Sequence, residues 1–391
     1  MVASATLITT HVTSPAEVKA FLSFPWQVYR GDPNWVPPVW SEREALLDRR
    51  RNPFFQHGEA EFFLARRDGR VVGTIAVGID RHANEYRQEQ AAFFAMFETI
   101  EDQAVADELL AVARRWAEAK GAVVLRGPGD LSPTQTAGIL VDGFDCPPVI
   151  LTGHNPNYYP RLVESFGFRK WGADHLAYRV DLTTFAGDPS RMPAQLLRVA
   201  DKVAARSRAR VRPVRMGDWS NEIERARQIY NESLAVLPDF VAVTTEDFAR
   251  QCEPMRSIVD PDLLLFVEVD GRAVGFAVAL PDINQALRFG SGLRAPWDWA
   301  RVWWHRRKID CVSFKVLALL PAYHRAGLGS LLYRELATKV IQRGYTWMDL
   351  SLTGEDNPQT NRIAPTMGAQ IYKRYRTYEL PLRRLDVEVT Q

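Results

Sequence analysis

The feature that most constrains this chain is a set of short words repeated at one spacing. Asp68-Gly69-Arg70-Val71-Val72-Gly73 returns as Asp270-Gly271-Arg272-Ala273-Val274-Gly275, and Asn155-Pro156 with Arg161-Leu162 returns as Asn357-Pro358 with Arg362-Ile363, both at an offset of 202 residues. Gly167 and Gly368 keep nearly that offset, at 201. Matches in register over so long a stretch mean duplication of a whole domain rather than a short repeat array. At 391 residues the chain also exceeds what one hydrophobic core ordinarily supports. The expected division is residues 1–183, a joining helix over 184–208, and residues 209–391.

The pattern within each copy points to a mixed α/β architecture. In the first, Thr6 to Val12 alternates as a strand does, and Ser14-Pro15 with Glu17 opens a helix with a capping residue, an early proline and an early acid. Asp32 to Phe55 is rich in Pro, Trp, Arg and Phe without clear periodicity, so an irregular segment packed by Trp35, Trp40, Phe54 and Phe55 is expected. Each Asp-Gly word joins two apolar strands and suits a tight hairpin turn. Near the join, Leu196, Val199, Ala200 and Val203 give a basic helix one apolar face, which predicts a helix wedged between the copies. The second copy reads as strand, two helices, hairpin, insertion, strand, helix, strand, helix and final strand.

Within that second copy, Val316 to Leu320 is an apolar run stopped by Pro321 and followed by Tyr323-His324-Arg325-Ala326-Gly327-Leu328-Gly329. Leu328, Leu331, Leu332, Leu336 and Val340 then recur at helical spacing. Two glycines one residue apart let the backbone approach a bound group closely, and the free N–H groups of a helix start form an anion site.

This strand, loop and helix resemble motif A of the GNAT superfamily of N-acyltransferases, whose Arg/Gln-x-x-Gly-x-Gly/Ala pattern wraps backbone N–H groups around the pyrophosphate of coenzyme A. Here the pattern reads His324-x-x-Gly327-x-Gly329, with Arg325 beside His324 to supply the family's charge. The element order agrees over the whole chain, which is similar to a bacterial group with two tandem GNAT-like domains, each a mixed, mostly antiparallel sheet flanked by helices. Asp32-Pro33-Asn34-Trp35-Val36-Pro37-Pro38, Asn52-Pro53-Phe54-Phe55 and Asn155-Pro156-Asn157-Tyr158-Tyr159 carry that kinship.

The resemblance implies an N-acyltransferase that takes acetyl-coenzyme A or a longer acyl-coenzyme A as co-substrate and a small-molecule amine as acceptor. It places the cofactor on Leu317, Leu319, His324, Arg325, Ala326, Gly327, Leu328, Gly329, Ser330 and Asn357, with the pantetheine arm pairing like an extra strand near Leu317 to Leu319. The chemistry is direct attack of the amine on the thioester, so a base, an oxyanion donor and an acid for the leaving thiolate are required. Candidate bases are Asp349 and Glu355, with Asp310 a further carboxylate near a strand end. The family's tyrosine four residues before the glycine at 368 is Ala364 here, so the acid role passes to Tyr372 or Tyr375, or to water. Loss of that tyrosine also leaves open a protein that binds coenzyme A without turnover.

Composition narrows the remaining classes. A formal charge of +2 with 25% charged residues gives no reason to expect nucleic acid. Cys146, Cys252 and Cys311 are few and scattered, which suits a reducing cytoplasm, and His154, His175 and His305 are too isolated to suggest a metal. Met1 to Thr13 lacks the basic start and apolar core of a secretory leader, so a cytoplasmic protein is expected. One stretch stands apart: the insertion Asp282 to Lys308 holds Trp297, Trp299, Trp303 and Trp304 among Arg294, Arg301, His305, Arg306, Arg307 and Lys308. A helix started by Pro296 would gather the tryptophans into a broad face, expected in the groove between the copies. The alternatives are a wall for a long-chain substrate, a membrane-surface contact for an acyltransferase of long-chain amines, or base stacking. Oligomeric state is left open.

Aligning Leu109-Leu110 with Leu331-Leu332 sets Asp102 opposite His324, Val105 opposite Gly327 and Asp107 opposite Gly329, so the first copy has no glycine loop and crowds acids where a pyrophosphate would sit. Isothermal titration with coenzyme A should therefore find binding abolished by Gly329→Asp and unchanged by Asp107→Asn. Equal affinity in the glycine variant would remove the assignment.

Overall fold

The two repeated Asp-Gly words adopt the same turn: Asp68 and Gly69 have φ of 49° and 77°, and Asp270 and Gly271 have 49° and 81°. Positive φ at both central residues is what a two-residue hairpin needs to match the twist of its strands. The computed structural model describes residues 6–129, 131, 138–236 and 240–382. Its first half runs β1 (Leu7–His11), α1 (Pro15–Ser23), α2 (Pro25–Val28), α3 (Trp40–Leu47), α4 (Phe54–His57), β2 (Gly58–Arg67), β3 (Arg70–Asp80) and α5 (Arg81–Arg87). It continues through β4 (Ala91–Thr99), α6 (Gln103–Ala119), β5 (Val124–Gly129), β6 (Ile139–Asp142), α7 (Tyr159–Phe166) and β7 (Arg169–Asp181). After α8 (Ala194–Arg206) the second half follows with β8 (Ala209–Pro213), α9 (Trp219–Leu234), α10 (Thr245–Cys252), β9 (Leu264–Val269), β10 (Arg272–Pro281), α11 (Asn284–Leu287) and α12 (Pro296–His305). It ends with β11 (Cys311–Leu319), α13 (Leu328–Gln342), β12 (Trp347–Gly354), α14 (Pro358–Thr366) and β13 (Gln370–Pro381).

All these strands join one mixed, mostly antiparallel sheet, in the order β1-β2-β3-β4-β5-β13-β7-β12-β11-β10-β9-β8, with β6 set against β13. The order reveals an exchange. The last strand of the second half lies against the first half, with Tyr378 opposite Gly127 and Leu380 opposite Leu125. The last strand of the first half lies against the second, with Met348 opposite Val180 and Leu350 opposite Tyr178. The two exchanged strands also pair with each other, Ile371 opposite Tyr178 and Tyr375 opposite His175. Each core accordingly contains residues from the other half. Tyr378 packs with Phe94, Leu109, Leu110 and Leu125, whereas Leu176, Tyr178 and Val180 pack with Phe266, Phe276 and Leu332.

Side-chain contacts reinforce the join. His57, at the end of α4, meets Asp80 of its own half at 3.1 Å and Asp247 of α10 at 3.2 Å, and these two carboxylates hold the imidazole up to about 9 against the opposing effect of burial. Arg250 reaches back to Asn52.

Three expectations need correction. The segment from Asp32 to Phe55 is not wholly irregular: α3 forms in it because Glu42, Arg43, Glu44, Ala45, Leu46 and Leu47 are good helix formers, and α4 follows. The helix α8 does not wedge between the halves. It lies on α13, with Ala200 buried, Asp201 bound to Arg334 at 2.7 Å and Val203 against Gly327. The tryptophan face of α12 is not buried in the groove either: Trp297, Trp299, Trp303 and Trp304 remain 64%, 59%, 51% and 59% exposed. Asp298 and Val302 form the buried side instead, and the Asp298 carboxylate accepts the N–H groups of Arg294 and Ala295 at the helix start.

A fragment covering residues 209–391 lacks β7, so β12 keeps one unpaired edge and the core loses Leu176, Tyr178 and Val180. Expressed alone it should aggregate, and co-expression with residues 1–208 should recover a soluble complex on gel filtration. A stable, monomeric 209–391 fragment would contradict this account of the exchange.

Candidate active site

The site begins where two parallel strands part. β11 and β12 pair from Cys311 opposite Trp347 to Phe314 opposite Leu350, and no further. Beyond that point β12 stays with β7, Thr353 opposite Leu176 and Gly354 opposite His175, while β11 stays with β10 as far as Leu319 opposite Gly275. A notch therefore opens at the carboxyl ends of adjacent parallel strands, the usual position for ligands in sheets of this kind. The β10–β11 register shifts between Val278 and Ala279, which leaves Lys315 as the extra residue of a bulge. Bulges re-aim side chains, and this one turns inward the only charged side chain of the strand.

At the far end of the notch, the Leu319 N–H donates to Ser233 Oγ at 3.2 Å rather than to β10. Strand alternation turns the Leu317 N–H the same way, toward the gap. His324 Nε2 donates to the Leu319 carbonyl at 2.8 Å, so its ring braces the loop. Arg325 and Ala326 are exposed, and Ser330 Oγ donates to Gly327 O at 2.7 Å. Gly327 has φ of 74° and a Cβ there would come within 2.9 Å of Val203, so the fold itself requires glycine. Gly329 differs. A Cβ on it would meet Leu319 and Leu317 at ordinary contact distances of 3.6 Å and 3.7 Å, so the fold itself does not require glycine there. These residues, with the N–H groups at the start of α13, fit the pyrophosphate and pantetheine of coenzyme A. The matching helix α6 fits it poorly: the Asp102 carboxylate accepts from Ala104 and Val105 N–H and pairs with Arg67 at 2.7 Å, so its start is already satisfied.

Below the notch lies a buried polar cluster. Asp349 is fully buried on β12, and its Oδ2 accepts from Ser351 Oγ at 2.6 Å and from Ser313 Oγ, while its Oδ1 accepts from Tyr372 at 2.8 Å. Lys315 Nζ donates to Ser351 Oγ at 2.9 Å and stands 3.6 Å from Asp349. Burial draws the Lys315 ammonium below the usual lysine range against the pull of Asp349 and Asp282. The Tyr372 hydroxyl is pushed well up by burial, with the Asp349 carboxylate adding to it. Asp282 is pushed up to about 7 by burial, although the Ile150 N–H it accepts at 2.8 Å works the other way.

The other sequence candidates have separate duties. Glu355 belongs to an ion network with Lys170, Arg374 and Asp174, accepting from Arg374 at 2.6 Å and from the Asp174 N–H at 3.1 Å. Asn357 caps α14 by accepting the Thr360 N–H. Ala364 is buried within that helix, and the Tyr375 hydroxyl is spent on Gly153 O at 3.1 Å. Asp310 binds Gln285 and Thr346 near the surface. Sequence reasoning missed Lys315, Ser351, Ser313 and Asp282. Of these only Lys315 left a signal, as the single charge inside the apolar run from Val312 to Leu320.

A cavity of about 250 Å³ lies between the sheet and the helices α9 and α10. Its wall is formed by Trp219, Ile223, Ala226 and Tyr230 of α9, Phe248 and Cys252 of α10, and Phe266, Phe276, Val278 and Leu280 of the sheet. Lys315 and Ser351 line it as well, so the polar cluster and the apolar chamber share a boundary. Among the described residues no group of three or more His, Cys, Asp or Glu side chains is arranged to hold a metal, and no helix is long and apolar enough to cross a membrane.

Residues 223–368 match the family model described as Acetyltransferase (GNAT) family. Over 379 residues the chain is 31% identical to a bacterial ceramide synthase of Caulobacter vibrioides, covering 95% of this chain and 96% of that protein. The chain belongs to the GNAT family. Protein YghO of Escherichia coli is 30% identical over 370 residues, covering 93% of this chain and 92% of the other. In fold, the chain resembles a tandem GNAT protein from the clavulanic acid biosynthesis pathway with a TM-score of 0.58 at 12% identity, covering 97% of this chain and all of that one. The tandem GNAT architecture expected from the repeat is thus present.

The hydrogen bonds around Asp349 rank the candidates experimentally. Asp349→Asn should lower kcat for thiol release from an acyl-coenzyme A by about a hundredfold. Glu355→Gln should leave kcat within about threefold, since an exposed network supplies little. Circular dichroism melts on both variants separate chemistry from folding, and a Glu355 variant with the larger loss would reverse the ranking.

Proposed function

We propose that this protein transfers a long-chain acyl group from acyl-coenzyme A to the amine of a lipid-like, long-chain acceptor, working from its C-terminal half. The observation that carries the proposal is the apolar cavity bounded by Lys315 and Ser351, beside the notch that suits a thioester. The chamber's wall is mostly apolar, with Glu222, Gln251, Lys315 and Ser351 as its polar members, and such a lining favours a hydrocarbon chain over a polar amine. The name of the Caulobacter relative supports the reading, since a ceramide is an N-acylated long-chain amine.

In the proposed reaction coenzyme A supplies the activated acyl group and leaves as thiolate. The β11 backbone at Leu317 orients the thioester along the notch, and a helix start at Gly327 to Ser330 holds the pyrophosphate. The acceptor ammonium loses a proton to Ser351 Oγ as that hydroxyl passes its own to Asp349, and the freed amine attacks the thioester carbon. Ser313 and Tyr372 hold the Asp349 carboxylate in place by donating to it. Lys315 balances that carboxylate and donates to Ser351, which fixes the direction of the relay. The C–S bond breaks, the amide nitrogen loses its second proton to solvent, the thiolate is protonated by water, and Asp349 returns its proton to solvent through Ser351.

With a long-chain amino alcohol as acceptor, kcat/KM should be at least about tenfold higher for a palmitoyl than for an acetyl thioester, because each buried methylene contributes about 0.8 kcal/mol. Ile223→Trp, which fills the chamber from α9, should remove most of that preference while leaving acetyl transfer to a short amine intact. Equal turnover of all chain lengths in the native protein would overturn the long-chain assignment.

A further inference from the structure

The helix α12 presents to solvent the side that a helix in a water-soluble protein ordinarily buries. Advancing about 100° per residue, Asp298 and Val302 share one side and are buried. The opposite side is an unbroken arc of Trp299, Trp303, Ala300, Trp304 and Trp297, all exposed. The tryptophans are each more than half accessible, on a helix of ten residues. So concentrated an apolar face signals an interaction site.

The helix is also held rigidly from behind. The Trp40 N–H donates to Gly292 O at 2.9 Å, and the Arg294 guanidinium lies 4.2 Å from the centre of the Trp40 ring. His305 stacks on Phe289 with ring centres 3.6 Å apart.

Charge identifies what covers the face. From Arg288 to Lys308 there are six cationic residues and one acid, Asp298, which is buried and committed to the helix start. Arg301, Arg306, Arg307 and Lys308 are exposed beside the indoles, and Arg307 lies over the Trp303 ring at 4.6 Å. Tryptophan belongs at the polar–apolar boundary of a bilayer, and arginine and lysine beside it meet anionic headgroups. At ten residues the helix is too short to span a bilayer and suits a position in its plane. We infer that α12 is an interfacial helix that docks the protein on anionic lipid bilayers, with the tryptophans inserted at headgroup depth. The inference stands on this surface alone and does not require the substrate proposed above.

The test is co-sedimentation of the full-length protein with phosphatidylcholine vesicles, with and without phosphatidylglycerol, in the absence of substrate. The native protein should sediment with the anionic vesicles, shift its tryptophan emission to shorter wavelength, and dissociate as salt is raised. Trp303→Ser with Trp304→Ser should lose vesicle binding while retaining the native melting temperature and full turnover of a short, water-soluble amine. Arg306→Glu with Arg307→Glu should weaken binding roughly tenfold or more. Failure of the native protein to bind anionic vesicles at low salt, or native-like binding by the serine variant, would overturn the inference. So would a native dimer in analytical ultracentrifugation that the serine variant converts to monomer, since the face would then belong to a second copy.

Discussion

The pairing of β7 with β13 is the interaction on which the rest of this molecule depends. Each strand leaves its own half, enters the other, and hydrogen-bonds its counterpart along the way. Two sheets that would each have ended in an exposed edge become one, and no edge is left at the centre to template aggregation. Because Tyr378 and Tyr178 sit in opposite cores, neither core is complete until the whole chain has been made.

The same exchange shapes the site. β12 parts from β11 after Leu350 and keeps its pairing with β7 on the other side, at Thr353 and Gly354. Without that borrowed partner, the diverging strand would leave backbone groups unpaired in the interior. The first half thus contributes a strand, β7, to the border of the notch. Its own cavity, about 170 Å³ beside Tyr29, Arg43, Glu98 and His154, is more polar, and burial pushes Glu98 there up to about 7.

Electrostatics explain why the buried cluster is tolerable. A lone Asp349 carboxylate at this depth would be costly, but three hydroxyl donors and the nearby Lys315 offset its desolvation. Removing any donor leaves a buried acceptor unsatisfied, so the cluster behaves as a unit. Asp349 touches the cavity wall through Ser351 and Lys315, whereas the Glu355 charge is tied up by Lys170 and Arg374 near solvent.

Much of this was legible in the sequence because it is written locally. Asp-Gly turns, the Ser14–Glu17 capping box and the apolar rhythm of α13 each depend on residues within a few positions of one another. The repeat made the tandem fold readable, and Gly327 and Gly329 marked the loop. What the sequence could not contain is where distant segments meet. Two identical topologies, with and without exchanged last strands, have the same local pattern, and only the summed burial of Tyr378, Tyr178 and Val180 across the join selects one. Asp349 was legible as a candidate base, but its partners Ser351 and Lys315 were not, because only a bulge and a parallel register bring them beside it. For α12 the sequence determined an amphipathic, tryptophan-rich helix, but which of its sides packs on the protein was decided by tertiary structure, which buries Asp298 and Val302 and leaves the indoles in solvent, because burial depends on distant segments that the local pattern does not contain.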